Sequence, residues 1–171
     1  MIVLGVDPGA TTGWCLCRTN QVGMMVMGNG HFPKHEVDDE LRGMLDERLH
    51  LQVAIERPVA HGATYPQVVE AALTAGRLIE KFARHFTVVE LTRQEIRARL
   101  QLACNGAIRV KDDASVWAAL KALHGGDSSA KKGGKLYGVR SHARAALAAA
   151  VAFGLPSTKE QQSSRDAAKE A

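Results

Sequence analysis

The chain has 171 residues, the usual size of one domain, and 46% of them are hydrophobic, a proportion typical of globular proteins. Its net charge of +4 is modest, but Lys and Arg cluster in residues 92–111 and 128–144, as expected of a surface that contacts phosphates. The lack of an apolar run of roughly 20 residues, of a secretion signal and of a disulfide framework excludes membrane-spanning and secreted proteins and predicts a cytoplasmic one.

The N-terminal half is predicted to begin with a meander of three strands. Apolar runs place these strands at residues 2–6, 14–18 and 22–32. Leucines recur every four positions among charged residues in 38–49, which predicts an amphipathic helix there. A further apolar run predicts a strand over residues 51–56, and Pro58 ends it.

The second half alternates between helices and a strand. A long apolar stripe predicts a helix over residues 67–85, followed by a strand over residues 86–91. Another helix is predicted over residues 114–124 with Asp113 as its N-cap, and alanine-rich residues 139–154 form the last helix. This order predicts an α/β domain whose mixed sheet is covered by helices on both faces.

The domain is predicted to occupy residues 1–156. Within it, residues 125–138 are rich in glycine, lysine and serine, which indicates a flexible loop. Residues 157–171 are polar and nearly balanced in charge, so we predict a disordered tail there.

Two of the predicted strands end in a carboxylate. Asp7 follows the first apolar run and precedes a Pro-Gly turn, and Glu56 ends the fourth run immediately before Arg57. In α/β proteins, ligands bind at the edge where the strands end. If the two strands are parallel neighbours, the carboxylates lie side by side, and a divalent cation would offset their repulsion. The alternatives are a simple turn at Asp7 and a surface ion pair between Glu56 and Arg57.

A histidine is the third candidate for chemistry. His142 follows Ser141 in the first turn of the last predicted helix. An imidazole in that position can bind a metal or position a water, although a lone histidine is often only a surface residue.

Taken together, these motifs resemble the RuvC family of Holliday-junction resolvases, especially its short phage-type members. The resemblance covers about residues 1–154 and rests on I-V-L-G-V-D-P-G-A-T-T-G-W, V-A-I-E-R-P, A-G-R and S-H-A-R-A-A-L-A-A-A, in that order. It implies a ribonuclease-H-like fold with a five-stranded mixed sheet. It also implies a homodimeric, metal-dependent endonuclease that cuts branched DNA by paired nicks in recombination or DNA processing.

The resemblance further implies a divalent metal site. Carried over by position, its ligands are Asp7, Glu56 and His142, which would hold Mg²⁺, with Mn²⁺ as a substitute. We expect Asp7 to bridge two cations, Glu56 to bind one of them, and His142 to act as a ligand or as the general base.

The chain departs from the family pattern at Ala145, because an Asp is common there, three residues after the histidine. Asp112 or Asp113, at the start of a helix beside a basic segment, is a candidate replacement. Alternatively, His142 and water suffice, or catalysis has been lost and the chain is a silent junction-binding protein.

DNA contacts are predicted from the basic segments. Phosphates would be bound by Arg93, Arg97, Arg99, Lys131, Lys132, Lys135 and Arg140. Selectivity would then be for the branched shape of the DNA. A different class of function is also open, because D-P-G-A-T-T-G is similar to the first phosphate-binding turn of actin-like ATPases, although the chain is too short for their second domain.

Overall fold

A mixed sheet of five strands forms the centre of the computed structural model, which describes residues 1–20, 23–33, 51–59, 65–125 and 134–156. The strands are β1 (Ile2–Asp7), β2 (Thr11–Asn20), β3 (Gly23–Pro33), β4 (Leu51–Arg57) and β5 (Thr87–Thr92). Their order is β3-β2-β1-β4-β5. β1, β2 and β3 form the predicted antiparallel meander, whereas β4 runs parallel to both β1 and β5.

Four helices surround the sheet in the described part of the chain. They are α1 (Pro66–Phe82), α2 (Arg93–Ala103), α3 (Asp113–His124) and α4 (His142–Phe153). None of them combines the length and the apolar character that crossing a bilayer would require.

The two faces of the sheet are covered by different helices. Alternation along β1 directs Leu4 and Val6 toward α1, where Leu78 and Phe82 complete one core, whereas Val3 points toward the core formed with α2, α3 and α4. Each of these buried apolar side chains contributes roughly 1.5–3 kcal/mol to folding. The prediction of a mixed sheet with helices on both faces is confirmed.

α4 lies directly on the backbone of the sheet. A Cβ atom added to Gly5 of β1 would overlap the carbonyl group of Ala146, and one added to Gly13 of β2 would overlap the backbone of His142. Glycine at both positions therefore permits an approach that any side chain would prevent. This contact places the first turn of α4 over the end of β1.

Helix α2 was not predicted, because its sequence is strongly charged and only Ile96 and Leu100 among its residues are buried. Its N-terminus nevertheless has a sequence signature. The Thr92 side chain accepts a hydrogen bond from the backbone of Glu95, and the Glu95 carboxylate accepts one from the backbone of Thr92. This reciprocal capping box starts the helix as soon as β5 ends.

Two predicted helix starts were wrong by a few residues. The N-cap of α3 is Asp112, which accepts hydrogen bonds from Ser115, so Asp113 is already the first helical residue. α4 begins at His142 and not at residue 139, because Gly138 and Ser141 both adopt positive φ angles, which a helix excludes. The helix predicted over 38–49, the middle of the loop at 125–138 and the tail at 157–171 lie outside the described residues.

Candidate active site

Asp7 and Glu56 lie side by side at the ends of two adjacent parallel strands. Val6 of β1 is paired with Ile55 of β4, so the next residue of each strand carries one of the two carboxylates. Alternation turns both side chains toward the face that α4 covers. Their side chains are only 13% and 10% exposed, respectively, so both negative charges are largely withdrawn from water.

A single guanidinium group lies between these acids. Arg93, the first residue of α2, donates a hydrogen bond of 2.6 Å from Nε to Glu56 Oε1, and its Nη2 atom is 3.9 Å from Asp7 Oδ1. A third nitrogen, Nη1, donates to Asp113 Oδ1 at 3.0 Å. The guanidinium thus faces three carboxylates with three different nitrogen atoms.

Burial dominates the electrostatics of the carboxylate pair. It raises the pKa of Asp7, against the hydrogen bond with His142 and the charge of Arg93. Burial likewise raises the pKa of Glu56, against its hydrogen bond with Arg93, and the charge of Asp7 raises it further. Burial thus disfavours the charged form of both acids, and nearby positive charge is what stabilises that form.

His142 approaches the same acids from α4. Its Nδ1 atom lies 3.2 Å from Asp7 Oδ2, within hydrogen-bond distance, and its side chain is 48% exposed. Ser141 precedes it with φ 47°, a conformation that is costly for a residue with a Cβ atom. The structure thus places His142 beside Asp7, and both residues line one cleft with Glu56.

The two candidate acids that precede α3 have different positions. The Asp112 carboxylate caps the helix, and its hydrogen bonds from the backbone and side chain of Ser115 lower its pKa. The Asp113 carboxylate faces Arg93 and also lies 3.6 Å from Arg97 Nη2. Asp113 is therefore the better placed of the two to complete a site with Asp7.

A cleft of about 860 Å³, which we call the carboxylate cleft, is lined by Asp7, Glu56, Arg93, Asp113 and His142. The turn after β1, the first turns of α2 and α3 and the N-terminal half of α4 form its walls. Ala145 is among the lining residues, so its methyl group lies where the family pattern would place a carboxylate. The missing acid of the motif is thus a missing acid of the cleft.

The donor set suits a hard divalent cation in its chemistry. Carboxylate oxygens are the ligands that Mg²⁺ prefers, and an imidazole is acceptable to Mn²⁺. No three acidic, histidine or cysteine side chains converge as a ready-made metal site within the ranges that the structure describes. Arg93 lies between the two buried acids instead, in the position that a shared cation would take.

The predicted DNA-binding residues are divided between several environments. Arg97 lines the carboxylate cleft, whereas Lys135 and Arg140 are exposed near the start of α4. Arg99 donates to the carbonyl groups of Ala152 and Leu155, which ties α2 to the end of α4. Arg93 is engaged by the carboxylates, and the predicted contacts at residues 131 and 132 lie outside the described part of the chain.

Arg144 and Trp117 were not predicted as site residues. Arg144 lies with its guanidinium carbon 4.4 Å from the centre of the Trp117 ring, and both residues line the carboxylate cleft. Arg144 lies two positions after His142, so the S-H-A-R motif already contained the signal. Trp117 carries no signal in the sequence, since nothing there distinguishes it from an apolar core residue of its helix.

No protein-family model and no curated protein matches the chain. Among solved structures, it is similar to RuvC from Thermus thermophilus, with 16% identity and a TM-score of 0.61 over 90% of this chain and 93% of that one. T. thermophilus RuvC in complex with a Holliday junction substrate matches with 17% identity and a TM-score of 0.63, over 91% and 93%. A fowlpox virus resolvase, solved with Holliday junction DNA, matches with 11% identity and a TM-score of 0.46, over 90% and 96%. The chain has the fold of RuvC, which confirms the predicted ribonuclease-H-like architecture.

Proposed function

We propose that the chain is a divalent-metal-dependent, structure-selective endonuclease that cuts branched DNA, Holliday junctions in particular, in a bacterial or phage-infected cytoplasm. The observation that carries the proposal is the buried pair Asp7 and Glu56, which share one cationic partner beneath His142. Two buried carboxylates at one sheet edge are costly unless a cation is near them. The RuvC fold supports the same reading, since T. thermophilus RuvC has been solved with a Holliday junction substrate.

In this proposal, Asp7 and Glu56 hold Mg²⁺, with Asp113 as a further oxygen donor. When bound, the cation supplies positive charge that offsets the repulsion between a phosphodiester and its nucleophile. His142 serves either as a ligand or as the general base: Nδ1 faces Asp7, which leaves Nε2 to accept a proton from the attacking water. The low exposure of the two acids keeps bulk water from screening their charge.

The cations around the cleft would position the DNA backbone. Arg97 and Arg144 line the cleft beside the acids, and Lys135 and Arg140 are exposed residues of the segment that precedes α4 in the chain. Contacts with phosphates carry no information on the base sequence. They would therefore recognise the path of the strands at a branch. This arrangement suits an enzyme that recognises the shape of DNA.

Paired nicks require two copies of the site, and α1 offers a surface for a second copy of the chain. Tyr65, Val69 and Leu73 follow at four-residue spacing and are 61%, 45% and 56% exposed. They form a stripe on the outer side of the helix, opposite the residues that pack on the sheet. A two-fold dimer through this stripe would bury apolar surface and place two identical clefts on one junction.

A labelled four-way junction tests the proposal directly. With Mg²⁺ or Mn²⁺, the chain should introduce symmetric nicks in two opposite strands, and chelation of the metal should stop the cutting. Bound but intact junctions would instead support the silent binding protein, which the alanine at position 145 keeps as the second candidate. ATP turnover without junction binding would support the nucleotide-binding module.

Asp7→Asn separates catalysis from binding. Removing the negative charge while keeping the shape should abolish cutting and should leave junction binding unchanged or tighter, because one charge that repels phosphate is lost. Glu90→Gln is the matched control, since Glu90 is an exposed acid of β5 that lies outside the cleft. Equal loss of cutting and binding in Asp7→Asn, measured by gel shift and nicking assays, would contradict the metal role.

A further inference from the structure

A positively charged side chain of the protein itself, Arg93, lies among the proposed metal ligands. Arg93 contacts Glu56, Asp113 and Asp7 at 2.6, 3.0 and 3.9 Å. Charge-assisted contacts of this kind are the stronger hydrogen bonds in proteins. The guanidinium is therefore hydrogen-bonded to Glu56 Oε1 and Asp113 Oδ1 and lies near Asp7 Oδ1, and a divalent cation at this site would compete with it for these oxygens.

A second positive charge could not share these oxygens with the first. Glu56 Oε1 is already bound by Nε at 2.6 Å, and Asp7 lies within reach of the opposite end of the same group. A divalent ion at the pair would stand a few ångströms from a fixed positive charge, and the repulsion is strong where both acids are withdrawn from water.

We propose that the guanidinium of Arg93 and a divalent cation bind Asp7 and Glu56 alternately, so that metal is bound only when Arg93 leaves. The inference rests on the metal site of the proposed function and adds to it a mode of regulation. Arg93 offsets the buried negative charge before metal binds, which spares the folded chain an uncompensated pair of acids.

The surroundings of Arg93 offer it a second position. Its side chain is 41% exposed, and it lines both the carboxylate cleft and a neighbouring cleft of about 870 Å³. That neighbouring cleft also contains Arg57, Arg97 and Lys111, three cations that would attract phosphates, and Glu56 lines both clefts. A rotation of the Arg93 side chain into it would release the acids and add a fourth cation to a phosphate-binding surface.

Mn²⁺ binding in the absence of DNA tests the exclusion without any measurement of activity. The full chain is titrated with Mn²⁺ and followed by electron paramagnetic resonance, as wild type and as Arg93→Gln and Arg93→Met. Both substitutions should lower the Kd for Mn²⁺ roughly tenfold or more, because a charge-assisted contact no longer competes for the oxygens. Asp7→Asn combined with either substitution should abolish the gain, which assigns it to this site.

Arg97→Gln is the matched control. Arg97 lies on the same helix and near Asp113 at 3.6 Å, but its guanidinium makes no ion pair with Asp7 or Glu56 within the described residues. It removes the same charge from the cleft and should change the Kd much less than Arg93→Gln. Equal effects of the two substitutions would overturn the exclusion and indicate only a general electrostatic field.

A second measurement protects the test against a folding defect. With chelator present, Arg93→Gln should melt at a lower temperature than the wild type, and Mn²⁺ should raise its Tm by more than it raises that of the wild type. If wild type and Arg93→Gln bind Mn²⁺ equally tightly through Asp7, the exclusion is wrong although the metal site stands. If no variant binds Mn²⁺ in a manner that depends on Asp7, the metal site and the exclusion both fall.

Discussion

Asp113 is joined to the buried carboxylate pair through Arg93, although it belongs to a different helix. Its carboxylate is 80% exposed and lies 3.0 Å from Nη1 of Arg93. A rotation of this surface side chain would bring the carboxylate toward the two acids of the sheet. On α4, Ala145 lies one turn after His142 and also lines the cleft. Asp113 itself, or an acid introduced at position 145, could supply the oxygen that the motif lacks.

A double substitution distinguishes these positions. Asp113→Asn should weaken Mn²⁺ binding and slow junction cutting by roughly tenfold or more, as expected for an acid that supports a metal site. Ala145→Asp in the same chain should restore both, because positions 142 and 145 share one face of α4. Calorimetry and nicking assays would measure the two effects.

Asp112→Asn is the control for this experiment, since asparagine caps a helix as well as aspartate does and Asp112 is not among the residues that line the cleft. Wild-type metal binding in Asp113→Asn would remove Asp113 from the site. Failure of Ala145→Asp to restore binding would show that the alanine position is out of reach.

The positions of single residues were predictable where they followed directly from the strand pattern of the sequence. Asp7 and Glu56 each end an apolar run, and parallel pairing of their strands is enough to bring them together. The contact of Arg93 with both acids depends on the exact start of α2, which the charged sequence of that helix obscured. Arg93 was therefore predicted as a DNA contact, and its position between the acids could not be read from the sequence.

At the scale of elements, the site depends on how closely α4 approaches the sheet. Gly5 and Gly13 lie beneath Ala146 and His142, and their strands meet the helix through backbone atoms. The alanine-rich composition of residues 139–154 predicted a helix but not this approach, because a glycine within a strand has several possible explanations. The role of the two glycines became clear only from the packing.

Replacement of these glycines should destabilise the protein. Gly13→Ala and Gly5→Ala should each lower the free energy of unfolding by about 1–3 kcal/mol, because the added methyl group overlaps backbone atoms of α4. Gly76→Ala is the matched control on α1, where a Cβ atom meets nothing within 4 Å, and it should raise the free energy of unfolding by about 0.5–1 kcal/mol. Urea denaturation would measure all three, and a neutral Gly13→Ala would argue against the position of α4.

At the scale of the whole molecule, the sequence predicted the architecture better than the first and last residues of the individual helices and strands. The run of three antiparallel strands followed by alternating helices and strands leaves few arrangements, and the RuvC fold is the one found. Assembly is a different matter. The outer stripe of α1 is exposed in one chain, and no pattern within a single sequence states what covers it.

The dimer proposal leads to a test of how nicks are paired. Leu73→Glu places a charge in the α1 stripe and should convert a dimer into a monomer in sedimentation experiments. The monomer should still make single nicks but should lose the simultaneous cutting of two strands. Met27→Glu changes an exposed apolar residue of β3 in the same way and should leave the sedimentation coefficient unchanged. A wild-type chain that sediments as a monomer at micromolar concentration would contradict the stripe as an interface.

The backbone contact of α4 with β1 and β2 has a consequence for redesign. Since main-chain atoms meet there, we expect the distance from His142 to Asp7 to depend little on the sizes of neighbouring apolar side chains. Exchanges among those side chains can alter how firmly the domain holds together while the reach of the imidazole stays constant. Anyone who wished to widen the gap for a larger ion would have to begin with the two glycines.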